Sequence, residues 1–71
     1  TVVGYQLPAA RRVRIAVYDL LGREVAVLVD ENKGPGNHEV TYDAYELPSG
    51  VYFYRLMQGE RHATRKLLLL R

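Results

Sequence analysis

Leu47-Pro-Ser-Gly-Val-Tyr-Phe-Tyr-Arg-Leu56 decides the fold. Pro48 fixes its own φ and Gly50 tolerates φ > 0, so Pro48-Ser49-Gly50 reads as a turn. A run of aromatic and β-branched residues follows at once, the composition of a strand with a fixed starting point. Side chains alternate along it, with Tyr52, Tyr54 and Leu56 on one face and Val51, Phe53 and Arg55 on the other. The face without the charge is the better core face. Both faces carry bulk, so this is a central strand with neighbours on either side.

Working outward, Gln58-Gly59 turns the chain back and Arg61 to Leu70 forms the last strand, paired with the 51–57 strand. The leucines at 67–70 favour helix by propensity, but no cap precedes them. If Leu67 and Leu69 face inward, so must Arg65, and a local irregularity or partial cover of both faces is expected there. On the other side, Val13, Ile15 and Val17 alternate with Arg14, Ala16 and Tyr18, the clearest half-buried strand of the chain. Asp19-Leu-Leu-Gly22 closes it: Asp19 accepts backbone N–H bonds in a turn, and Gly22 takes a positive φ. Glu24 to Val29 resumes as a strand too evenly apolar to fix its register, which admits a bulge. Asp30 to Asn37, with Gly34-Pro35-Gly36 inside it, reads as a loop. Val40 and Tyr42 mark another strand, and Asp43 to Gly50 an irregular crossing. Val3, Tyr5 and Leu7 make a short edge strand stopped by Pro8, with Ala9 to Arg12 as a turn.

Six strands and no helix result, with turns at the roughly 8–12-residue spacing of a small antiparallel sandwich. Two sheets can each hide one apolar face against the other. The expected inward set is Val3, Tyr5, Leu7, Val13, Ile15, Val17, Val25, Leu28, Val40, Tyr42, Tyr52, Tyr54 and Leu56.

At 71 residues there is one domain and no room for a substrate domain. There is no cysteine, hence neither a disulfide framework nor a thiolate metal site. Ten basic residues against eight acidic ones, both spread along the chain, lack the concentrated stripe that nucleic acid requires. No apolar run reaches the ~20 residues of a membrane helix, and no cleavable signal peptide is visible. The chain opens on Thr1-Val-Val without an initiator Met, so residues 1–71 are expected to be one domain cut from a longer protein.

Chemistry-bearing constellations are sparse. His38 and His62 stand apart, without further ligands at metal spacing, and read as surface histidines. Asp19 and Asp43 each end a strand before a turn, where capping outweighs acid catalysis. Ser49 lacks a partner histidine and a nucleophile elbow. Gly34 and Gly36 lack the Lys-Ser/Thr and helix of a phosphate loop. Residues 30–34 lack the spaced oxygens of a calcium loop. No cofactor and no metal are implied. The tyrosines at 5, 42, 52 and 54 fill a core short of large aliphatics, whereas Tyr18 and Phe53 lie on faces opposite the core and are candidate exposed aromatics.

Five stretches together carry a resemblance: Tyr5-Gln-Leu-Pro8, the run from Val13 to Val25, Gly36 to Asp43, Leu47 to Leu56, and Thr64-Arg-Lys-Leu-Leu-Leu-Leu-Arg71. They resemble the C-terminal sorting domain of type IX secretion substrates, and more weakly the immunoglobulin-like domain of the flagellar hook-capping protein. The resemblance implies a small immunoglobulin-like antiparallel β-sandwich of six to seven strands. It implies a non-catalytic domain behind an N-terminal cargo, read by an outer-membrane secretion translocon and removed by a surface sorting peptidase. Export would then run through the periplasm to the cell surface or medium. Matching positions are Gly22, the Gly50–Tyr52 strand entry and the end from Lys66 to Arg71. The translocation signal falls on Lys66, Leu67, Leu68, Leu69, Leu70 and Arg71, while Asp19, Gly22, Asp43, Pro48 and Gly50 serve as structural turns. The family's usual Asn-Pro-x-Asn-Pro opening is absent, and Tyr42 stands where many members have Trp. The alternative is an accessory module beside a hydrolase or adhesin, structural or binding carbohydrate through Tyr18 and Phe53.

Overall fold

The computed structural model describes residues 1–43 and 46–70. Six strands follow in order: β1 (Val2–Leu7), β2 (Arg11–Tyr18), β3 (Glu24–Lys33), β4 (Gly36–Thr41), β5 (Gly50–Gln58) and β6 (Arg61–Leu69). All pairings are antiparallel, and no helix occurs among the described residues. β1 pairs with β4, and a second sheet runs β3-β2-β5-β6, so the chain is a sandwich of a narrow and a wide sheet. β5 is a central strand, as its two bulky faces require.

Two-residue periodicity sets the core. In β1 every second residue is buried, namely Val3, Tyr5 and Leu7. In β2 the inner residues Val13, Ile15 and Val17 are fully enclosed. Val3, Tyr5, Leu7, Val13, Ile15 and Val29 form one end of the core; Val17, Tyr52, Leu67 and Leu69 form the other, and Leu28 and Tyr54 touch both. Each such aliphatic side chain contributes roughly 1.5–3 kcal/mol by leaving water.

Strand β3 departs from the sequence expectation in two ways. Its pairing with β2 shifts register between Ile15 and Ala16 and again between Val17 and Tyr18. The first shift leaves Leu28 and the second leaves Val25 without a partner on β2. These bulges let five consecutive apolar residues share one edge strand. Val25, expected inward, is 37% exposed because it is the extra residue of the second bulge. Conversely Val29, opposite Ile15, is buried.

The second departure is length. Residues 30–33, expected in a loop, extend β3 to Lys33, and only Gly34 and Pro35 separate it from β4. An edge strand with a wet face needs no apolar pattern there. Opposite charges serve instead: across the ladder Asp30 lies opposite Arg14 and takes Arg12 at 2.7 Å, while within β3 Lys33 holds Glu31 at 2.7 Å. β2 likewise begins at Arg11, inside the expected turn. Two of the three crossings between sheets, Leu7 to Arg11 and Lys33 to Gly36, therefore gather at one end of the sandwich, and the third joins β4 to β5.

Candidate functional site

The β2–β3 turn is built around one carboxylate. Asp19 Oδ1 accepts from the amides of Leu21 and Arg23 at 2.9 Å each, and its Oδ2 accepts from Arg23 Nε at 2.8 Å. The Gly22 amide closes the turn onto the Asp19 carbonyl at 3.1 Å, with Gly22 at φ 83°. The bond from the Arg23 amide, helped by the guanidinium, holds the Asp19 carboxyl below its ordinary range. Turn capping at Asp19 is thus what the geometry provides. Asp43 is exposed and directly precedes residues 44 and 45, which lie outside the described ones.

The entry to β5 is pinned by its own tyrosine. Buried Tyr52 donates from its hydroxyl to the Pro48 carbonyl at 2.8 Å, four residues upstream. This is the tyrosine-corner device by which sandwiches fix a chain crossing. Gly50 stands at φ 156°, on the margin of extended backbone. At the far end, Gln58 and Arg61 pair across Gly59-Glu60. Gly59 has φ 59° and Glu60 is not among the described residues with positive φ, the pattern of a type II′ hairpin turn.

Strand β6 is consequently held in one register against β5, from Gln58↔Arg61 to Gly50↔Leu69, with no shift. The candidate recognition residues divide by alternation. Leu67 and Leu69 are buried in the core, 6% and 7% exposed. Lys66, Leu68 and Leu70 stay on the surface, the two leucines 57% and 82% exposed. Arg71 lies outside the described residues. The expected conflict at Arg65 is resolved without irregularity: the narrow sheet leaves the first half of β6 uncovered, and residues 61–66 are all exposed.

Charge is unevenly distributed over the wide sheet. All four ion pairs among the described residues lie in β2, β3 and their turn, with Arg14–Glu24 at 2.6 Å beside the three already given. The β5–β6 hairpin carries Arg55, Arg61, Arg65 and Lys66, and Glu60 is its sole acid. None of these cations is in an ion pair among the described residues. This excess is legible in the sequence as a stretch from 61 to 70 without Asp or Glu.

Tyr18 and Phe53 are brought together, paired across β2 and β5 on the outer face and half-buried. Phe53 faces Lys66 on its other side. Arg55 sits over the Tyr18 ring, 5.8 Å from its centroid, a contact sequence reasoning missed. An open groove of about 340 Å³ runs here between Leu20, Phe53 and Thr64. His62 is exposed, but His38 is not a bland surface group. It stacks on Tyr5 at 5.3 Å and donates from Nε2 to the Gly34 carbonyl at 2.7 Å, tying the β3–β4 crossing to β1. No group of acids and histidines able to hold a metal occurs among the described residues, nor any helix able to cross a membrane.

No curated protein and no solved structure matches the chain. A family model does: residues 3–70 match the secretion system C-terminal sorting domain. The match spans both sheets, the Asp19 turn, the β5 entry and the β6 edge. The chain therefore belongs to the secretion system C-terminal sorting domain family, whose members are the sorting signals of type IX secretion.

Proposed function

We propose that this domain directs an N-terminal cargo through the outer-membrane translocon of type IX secretion, with recognition seated in the segment from Lys66 to Arg71. The observation that carries this reading is the division of β6. Leu67 and Leu69 lock the strand into the core, and Lys66, Leu68 and Leu70 are left facing water on an edge. An exposed apolar pair beside a cation is a surface that a docking partner can cover. The buried leucines also serve the closing of the core. The two roles coexist on alternate residues.

The domain itself is non-catalytic in this reading. Its cargo passes through the periplasm, and a surface sorting peptidase separates the two on arrival at the cell surface or in the medium. The test is a fluorescent cargo fused ahead of the chain in a bacterium carrying the translocon. Cargo is expected outside the cell only when the chain is attached, and to stay in the periplasm when the translocon gene is deleted. Equal export with and without the chain would overturn the proposal.

A further inference from the structure

We propose that the free edge of β6 takes up an extended segment of a partner with consecutive acidic residues, adding a fifth strand to the wide sheet. The inference rests on the reading that β6 is the recognised element, and it names the chemistry of what recognises it.

Three observations converge on this edge. First, β6 is paired on one side only, runs nine residues without a register shift, and contains no proline. The other edge of the wide sheet is broken by two bulges, and the strands of the narrow sheet are only six residues long. β6 is thus the one long regular edge among the described strands, the kind that accepts a strand by main-chain bonding.

Second, its charges argue against a second copy of this chain as the occupant. In an antiparallel pairing of two β6 edges, directly opposed side chains share a face, so centring on residue 63, 65 or 66 sets Arg61 opposite Arg65, Arg65 opposite Arg65 or Lys66 opposite Lys66. Directly opposed like charges are destabilising. The same cations invite an acidic strand, whose side chains would sit roughly 4.5–5.5 Å away on the neighbouring strand.

Third, the pattern of charge sets the pattern of the partner. Arg65 and Lys66 are adjacent and so point to opposite faces of the sheet. Alternating acids would meet only one of them. A neighbouring pair of acids meets both, and an apolar residue further along the partner would cover Leu68, 57% exposed on the outer face.

The test uses the 71-residue chain and a synthetic Thr/Val peptide with Glu-Glu at its centre, against Gln-Gln and Lys-Lys versions. Binding is read by fluorescence anisotropy, and the edge by backbone amide exchange of β6. The Glu peptide is expected to bind and to slow exchange along β6. The Gln peptide should bind about tenfold more weakly, and the Lys peptide not at all. Added salt should weaken the Glu complex. The chain with Arg65→Glu and Lys66→Glu should reverse the order and prefer the Lys peptide. Both positions are exposed, and an unchanged circular dichroism spectrum checks that the fold is retained. Failure of the Glu peptide to bind, equal binding of the Gln peptide, protection confined to another edge, or no reversal in the variant would each overturn the proposal. These readouts involve no secretion, so they stand or fall separately from the export reading.

Discussion

The Asp19 carboxylate accepts two backbone amides and one guanidinium within its own turn. Its pKa is held down by these donors, so the ionised form is favoured in the folded chain. The sign follows: this stabilisation is complete above the unfolded carboxylate pKa, about 4, and is lost as pH falls through the lower folded value. Asp19→Asn keeps an oxygen for the amides but not the charge. We expect that variant to melt lower at neutral pH and to show less decline between about pH 5 and pH 2. Thermal melts across that range check it, and parallel curves for both chains would contradict it. Gly22, three residues on, has φ 83° and nothing within 4 Å of where a Cβ would stand. Gly22→Ala should therefore cost about 1 kcal/mol through backbone conformation alone, measurable by urea unfolding. Both residues were legible in Asp-Leu-Leu-Gly, because turn chemistry is local. The Tyr52 hydroxyl was not, since its acceptor, the Pro48 carbonyl, depends on how the crossing folds back. Tyr52→Phe should cost about 1 kcal/mol for that bond.

At the scale of elements, periodicity predicted best where one face is dry and one wet. In β1, β2 and β5 the residues expected inward are buried or packed against the core. β3 defeated the same reasoning twice. Its continuous apolar run gave no register, and the two bulges that settle it arise from pairing with β2, which no single strand encodes. Its polar extension reads as a loop because the partner of Asp30, Arg12 on β2, is revealed only by the ladder, and the Glu31–Lys33 pair within the strand carries no apolar pattern. β6 lay between these cases: its pairing was legible, while the exposure of Arg65 depended on the width of the facing sheet. The core itself makes a firm prediction. Ile15 is fully enclosed between the sheets, and Ile15→Ala should cost roughly 2–4 kcal/mol. A domain of this size has only roughly 4–10 kcal/mol in hand. Chemical denaturation should show a large fall in midpoint with an unchanged slope.

Across the whole molecule, the wide sheet has two halves with different electrostatics. The β2–β3 half holds all four ion pairs found among the described residues, and the β5–β6 half displays cations that have none among them, beside exposed leucines. In the reading proposed above, such an arrangement disfavours pairing of the edge with copies of itself and leaves it ready for an acidic partner. A sorting domain must be both folded and readable. In the proposed reading, alternation at the end of β6 meets the two demands with successive residues, Leu67 and Leu69 turned to the core and Lys66 and Leu68 to the surface. The most direct measurement of this division is export of a fused cargo carrying Lys66→Ala and Leu68→Ser, beside the same cargo with Leu67→Ala and Leu69→Ala. The account predicts that the first pair leaves the melting curve of the purified domain unchanged and yet abolishes export, whereas the second pair lowers the melt and abolishes export through unfolding. Normal export from the first pair, with the melt unchanged, would contradict it.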